Sequence, residues 1–149
     1  MTPAQTIGPF FSHALPWPSG PLVVSEQTPH SFWVRGKVFD GAGTPVPDAL
    51  IESWQQHENF SGFGRCPTDN DGNWALHTVK TPYLAISVFA RGLLHRLVTR
   101  IYFPGQSDDA VLSGLPADRR ATLIARPAPD GYYHDIQLQG EHETVFFSL

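Results

Sequence analysis

Short runs of apolar and β-branched residues, most of them followed within a few residues by a proline, a glycine or an Asp-Gly step, set the main limit on what this chain folds into. The runs are too short for amphipathic helices. Where they alternate, they do so with the period of two that belongs to a strand with one covered face. The sequence predicts strands over residues 31–39 (SFWVRGKVF), 49–54 (ALIESW), 73–79 (NWALHTV), 83–90 (YLAISVFA) and 97–103 (LVTRIYF). Three more are expected over 122–125, 133–138 and 144–147, and a short helix over 117–120. Residues 83–90 are nearly all apolar, as in a central strand covered on both faces, and 97–103 follows closely enough to be its hairpin partner. Turn signals at 40–45 (DGAGTP) and 69–72 (DNDG) separate the runs. Regular spacing of this kind points to a sandwich or a barrel.

The first thirty residues read differently. Pro3, Pro9, Pro16, Pro18, Pro21 and Pro29 each remove an amide donor and restrict the preceding residue, so no regular helix is expected there. Yet Ile7, Phe10, Phe11, Leu15 and Trp17 lie among them, side chains a solvated linker does not need. Residues 1–30 are therefore expected to form an extended arm that wraps its own domain or a partner, with residues 31–149 as the sandwich domain.

A chain of 149 residues is long enough for one domain with its own core. The net charge of −4, with no basic block, argues against nucleic acid or an anionic membrane as partner. No apolar run approaches the roughly 18 residues of a membrane span. Cys66 is the only cysteine, and the first residues carry neither a basic start nor an apolar run. A reducing, cytoplasmic location is expected.

Several motifs invite chemistry and fall short of it. Asp69-Asn70-Asp71-Gly72-Asn73 begins like a calcium loop, but Lys80 stands where the closing carboxylate belongs, so a plain hairpin turn is expected. His13, His30, His57, His77, His95, His134 and His142 show no metal-ligand spacing. Tyr132-Tyr133-His134 would point to alternate faces of a strand and cannot converge on one metal. Cys66 follows Arg65 but has no base beside it. Arg91, Arg96 and Arg100 read as a solvated basic surface; Arg91, at the end of an apolar strand, could also present its planar fork to a carboxylate.

Longer blocks carry a resemblance. Gln5-Thr6-Ile7-Gly8-Pro9-Phe10-Phe11, Gly36-Lys37-Val38-Phe39-Asp40-Gly41, Glu52-Ser53-Trp54-Gln55 and Phe60-Ser61-Gly62-Phe63-Gly64-Arg65 are similar, in order, to blocks of the intradiol ring-cleavage dioxygenases. Ser87-Val88-Phe89-Ala90-Arg91-Gly92, Thr99-Arg100-Ile101-Tyr102-Phe103 and Gln139-Gly140-Glu141-His142-Glu143-Thr144-Val145-Phe146-Phe147 continue the match and resemble the α-type chain of the family's two-chain members. The resemblance implies an all-β, antiparallel sandwich of the intradiol dioxygenase type. It implies a non-haem Fe(III) centre held by two tyrosines and two histidines on a β-type partner subunit, where O2 cleaves the ring of protocatechuate. It gives this chain no catalytic residue and no metal of its own. Thr6, Gly8, Pro9 and Arg91 match the positions at which an α-type chain lines the partner's substrate pocket, Arg91 receiving the substrate's carboxylate.

Two departures from the family pattern bear on the iron. Only Gln56-His57-Glu58-Asn59 stand between Gln55 and Phe60, where the family has a long loop with a tyrosine ligand. Lys80 reaches Pro82-Tyr83 almost at once, and Tyr83 and Ala85 occupy the two histidine positions. The competing readings are a non-enzymatic binding or assembly module on the same fold, and a self-sufficient dioxygenase using Tyr83, Tyr102, Tyr133 or nearby histidines.

Overall fold

The period-two runs pair into two sheets in the computed structural model, which describes residues 6–8, 10–105 and 109–148. In the first sheet β1 (Phe32–Phe39) pairs antiparallel with β4 (Asn73–Thr78). On its other side β1 runs parallel to β8 (Gly131–Tyr133) and β9 (Ile136–Gln137), and β7 (Arg126–Ala128) closes that edge against β8. The second sheet is antiparallel throughout, in the order β3 (Phe60–Pro67), β2 (Leu50–His57), β5 (Tyr83–Phe89), β6 (Leu97–Tyr102). Val34, Val38 and Leu76 of the first sheet pack with Ile51, Leu84, Ile86, Val88 and Ile101 of the second to make the core. The sandwich is the expected one, with a parallel pairing at β1 that the pattern did not signal. β5 is central, as expected, and β6 is its hairpin partner.

The structure differs from the sequence reading at five places. First, β2 extends to His57 and turns straight into β3, a strand the pattern did not show. The reason is Gly62 and Gly64, which stand at the inward positions of β3. A Cβ on either would lie 2.5 Å from a methyl of Val23, so the arm supplies the apolar groups that the strand lacks. Second, 69–72 is a turn but not a hairpin: it carries the chain from β3 in one sheet to β4 in the other. Asp69 Oδ1 accepts from the amides of Asp71 (2.9 Å) and Asn73 (2.8 Å), and Gly72 takes φ +75°. Third, 122–125 forms only an isolated bridge, Tyr102 to Ile124, because the chain is still leaving the helix α3 (Ala117–Ala121). A further short helix, α2 (Ala110–Ser113), is capped by the Asp109 carboxylate, which accepts from the amides of Val111 and Leu112.

Fourth, 144–147 is a strap rather than a strand. The Thr144 amide donates to Gln137 O (2.9 Å) and the Phe147 amide to Val98 O (2.8 Å), tying β9 to β6. Fifth, the run 133–138 splits into β8 and β9, which keep one register along β1. The break falls at His134-Asp135, where the Asp135 carboxylate takes the Lys37 amide at 2.9 Å in place of a backbone acceptor.

Among its described residues the arm contains one helical turn, α1 (Phe11–Ala14), which Pro16 keeps from extending; beyond that turn the described residues of the arm form no regular helix. Further on it seals the gap between two sheet edges. The Arg65 amide of β3 donates to Gly20 O (2.7 Å), the His77 amide of β4 to Pro21 O (2.8 Å), and the Val23 amide to His77 O (2.9 Å). These bonds satisfy edge groups that would otherwise face water or another chain. Among the described residues, no helix is long and apolar enough to cross a membrane.

The β2–β3 turn is strained. Glu58 sits at φ +48°, a region that suits glycine and costs other residues about 1–2 kcal/mol. Glu58→Gly is expected to raise the unfolding free energy by about 1 kcal/mol, because glycine's greater freedom in the unfolded chain offsets part of the relief. Urea denaturation checks this: a midpoint that moves up with unchanged slope confirms it, and a fall refutes it.

Candidate functional site

The outer face of the second sheet carries the residues that the sequence singled out. Along β2, Ile51 points into the core, so Leu50, Glu52, Trp54 and Gln56 point outward. Register then lays one row across the four strands: Phe63, Trp54, Ala85, Arg100. Beside it a cleft of about 320 Å³ is lined by Trp54, Gln55, Gln56, Ser61, Pro82, Tyr83 and Ala85. Gln55 fixes the shortened connection behind the cleft: its Nε2 donates to Val79 O (3.0 Å) and Thr81 Oγ1 (2.9 Å), and its Oε1 accepts from Thr78 Oγ1.

Arg100 is not the solvated cation that the sequence suggested. Its guanidinium lies 4.1 Å from the centre of the Tyr83 ring, and its Nη1 donates to the Tyr102 hydroxyl (3.1 Å) and approaches Asp109 Oδ2 (3.4 Å). The Tyr102 hydroxyl donates to Asp109 Oδ1 (2.9 Å). Burial works against the charge on Asp109. The hydrogen bonds from Leu112, Tyr102 and Val111, with Arg100 nearby, still hold its carboxyl below the usual range.

The cleft does not suit a ferric ion. Its lining offers one phenol, two amides and a hydroxyl, but no imidazole or carboxylate. Among the described residues no group of three or more His, Cys, Asp or Glu is placed to hold a metal. The tyrosines of the self-sufficient reading do not converge either. Tyr83 and Tyr102 are neighbours in the second sheet with ring centres 5.7 Å apart, while Tyr133 lies in the first. Burial pushes the Tyr102 and Tyr133 phenols up, away from the tyrosinate form. Tyr132 packs on Phe32 and Phe103, whereas Tyr133 lies beneath Arg126, the alternation expected of strand neighbours. His134 is buried and pushed down to about 4 by desolvation, and His77 packs against Trp33. Burial pushes the Cys66 thiol up, the wrong direction for a nucleophile.

Around Arg91 the structure gathers residues that are far apart in sequence. The turn after β5 takes Gly92 to φ +91°, and the Ile7 amide donates to Leu93 O at 2.7 Å. Thr6 and Gly8 flank that hydrogen bond, and both are exposed. Pro9 lies outside the described residues. Arg91 is exposed, and its Nε meets the largely buried Asp48 Oδ2 at 3.2 Å. No local pattern marked Asp48 as a partner, because the contact forms only when β2 and β5 pair. The arm is clasped nearby by Arg65. Its Nε (2.8 Å) and Nη2 (2.5 Å) donate to Glu52 Oε1, its Nη1 donates to Leu15 O (3.0 Å), and its guanidinium covers Trp17.

No family model matches the chain. Individual proteins do. The chain is 35% identical over 192 aligned positions to the protocatechuate 3,4-dioxygenase alpha chain of Burkholderia cepacia, with 99% of this chain and 97% of the relative covered. The alignment is longer than the 149 residues here, as expected if the relative carries extra loop residues. The beta chain of the same organism's enzyme is 32% identical over 153 positions, covering 74% of this chain and 65% of that one. Among solved structures, the dioxygenase domain of a dioxygenase–carbohydrate-binding fusion from Streptomyces sp. SirexAA-E superimposes with a TM-score of 0.60 and 25% identity, covering 91% and 95% of the two chains. Sandwich architecture, order of blocks and full-length similarity agree: the chain belongs to the intradiol ring-cleavage dioxygenases, in the group of the protocatechuate 3,4-dioxygenase alpha chains.

Proposed function

We propose that this chain is the α-type, iron-free subunit of a two-chain protocatechuate 3,4-dioxygenase. It pairs with a β-type subunit that carries non-haem Fe(III), and it supports cleavage of protocatechuate by O2 to 3-carboxy-cis,cis-muconate. The observation that carries this reading is the hydrogen bond from the Ile7 amide to Leu93 O. It ties the segment carrying exposed Thr6 and Gly8 to the turn that follows Arg91, which supports one shared surface for these three of the positions matched to a substrate pocket. Pro9 continues the same segment in sequence. A guanidinium there pairs with the substrate's carboxylate and favours protocatechuate over plain catechol. Asp48 steadies the Arg91 side chain from below. The cleft's own lining, without a ferric ligand set, supports placing the iron on the partner.

The test is co-expression with a β-type chain. Iron content, tyrosinate-to-iron colour and ring cleavage are recorded for this chain alone and for the complex. A colourless, inactive chain with a coloured, active complex supports the proposal. Iron and activity in the chain alone overturn it, and failure to associate favours the binding-module reading. Within the active complex, Arg91→Ala is expected to raise KM for protocatechuate roughly tenfold or more with a smaller effect on kcat, the result of losing a charge-assisted contact. An unchanged KM removes Arg91 from the pocket.

A further inference from the structure

The register of the second sheet chooses a partner for Arg91. Leu50 stands opposite Phe89 at the end of the β2–β5 ladder. Two residues further along each antiparallel chain, Asp48 falls opposite Arg91, on the face that Leu50 and Phe89 share. The side chains meet as that register requires, with Arg91 Nε 3.2 Å from Asp48 Oδ2. The two ends of the pair are not alike: the Asp48 side chain is 17% exposed and that of Arg91 65%. Asp48 lies between Pro47 and buried Ala49 and belongs to the body of the sheet, whereas Arg91 stands on a turn before Gly92, which takes φ +91°. The arm brackets that turn. The Phe11 ring packs on Phe89 with centres 6.2 Å apart, and the Ile7 amide reaches Leu93 O. The backbone on both sides of Arg91 is thereby held, and the Asp48 carboxylate holds the side chain. A guanidinium met at Nε keeps its far edge, with both Nη atoms, for a second carboxylate.

We infer that Asp48 is a positioning residue: it holds Arg91 by Nε so that the two Nη groups stand ready for the carboxylate of a ligand in the partner's pocket. This rests on the α-subunit reading above. Asp48 itself stays away from the ligand, since two carboxylates in contact repel. Fixing one long side chain before binding is worth about three- to tenfold in affinity, because the freedom it would otherwise lose on binding is already lost. The gain is selective, as a ligand without a carboxylate makes no use of an oriented fork.

The test uses the active complex with a β-type chain. Asp48→Ala is expected to raise KM for protocatechuate about three- to tenfold with kcat within about twofold of the parent. The inhibition constant of catechol, a competitor without the carboxylate, is expected to stay unchanged, whereas a merely structural role would shift both ligands together. Asp48→Asn keeps an oxygen to accept from Nε–H and is expected to recover most of the loss. Added to Arg91→Ala, Asp48→Ala is expected to cost nothing further, because its effect passes through the guanidinium. In the chain alone, NMR follows the Arg91 Nε–H signal, assigned by its loss in Arg91→Ala, and that proton is expected to exchange faster with water in Asp48→Ala. A KM that is unchanged or lowered in Asp48→Ala, an equal weakening of catechol, full additivity with Arg91→Ala, or an Nε–H that exchanges no faster overturns the inference. The two readings fail differently. A raised KM in Arg91→Ala beside an unchanged one in Asp48→Ala sinks the positioning role alone. An Arg91→Ala complex with unchanged KM, or the absence of any active complex, sinks the pocket reading and the positioning role with it.

Discussion

Arg65→Ala is expected to destabilise the chain by about 3 kcal/mol, seen as a fall in Tm of roughly 6–12 °C for a domain of this size. The Glu52–Arg65 pair lies on the outer face of the second sheet, with side-chain exposures of only 12% and 20%. Removing the guanidinium leaves a mostly buried carboxylate without its partner. It also removes the donor to Leu15 O and the cation over Trp17 and Phe63, so the arm loses its clasp. The double variant Arg65→Ala with Glu52→Gln separates the two losses. It should recover part of the stability, because the uncompensated charge is gone while the arm stays unclasped. Thermal unfolding of the three proteins checks this. A single variant within about 0.5 kcal/mol of the parent would show that the pair contributes no more than an exposed one.

Gly36→Ala is expected to cost at least about 3 kcal/mol, and to do so through space rather than backbone conformation. A Cβ at Gly36 would stand 1.6 Å from the carbonyl oxygen of His134 and 2.6 Å from its carbon, both backbone atoms that cannot rotate aside. That contact lies at the break between β8 and β9, where the first sheet is held by the His134 amide on Arg35 O (2.7 Å). An alanine must therefore push the C-terminal strands away from β1. Denaturant titration gives the magnitude, and backbone amide exchange in β8 and β9 gives the location. If exchange there is unaffected, the chain absorbs the methyl elsewhere.

The sequence also explains why these effects were hard to foresee. Short apolar runs placed β1, β4, β5 and β6 to within a residue or two and the start of β2, by alternation in β1 and by a nearly unbroken apolar run in β5. β3 was missed because its inward positions are glycines, and the methyls that fill them come from Val23, nearly forty residues earlier in the chain. The run 133–138 is not one strand: it falls into β8 and β9, which share a register along β1 but are parted at His134-Asp135. Of the candidate site, Thr6, Gly8 and Arg91 could be named from blocks of similarity. Asp48, Glu52 and Arg65 could not be given their partners, since each pairs with a residue at least thirteen positions away, and of the groups around Arg100 only Tyr102 is local, Tyr83 and Asp109 coming from other segments.

What the sequence determined by itself is what local chemistry can encode: short strands, the turn at Asp69–Gly72, an arm too rich in proline for a long helix, and side chains at Tyr83 and Ala85 that cannot ligate iron as histidines do. Only the tertiary structure decided which sheet each strand joins, that the arm seals the β3 and β4 edges, that Ile7 is tied to the turn after Arg91, and that Trp54, Tyr83 and Ala85 line one cleft. The physical reason is one of range. Propensity and alternation act over a few residues, whereas strand register and buried ion pairs are fixed by contacts between segments that only the closed sandwich brings together.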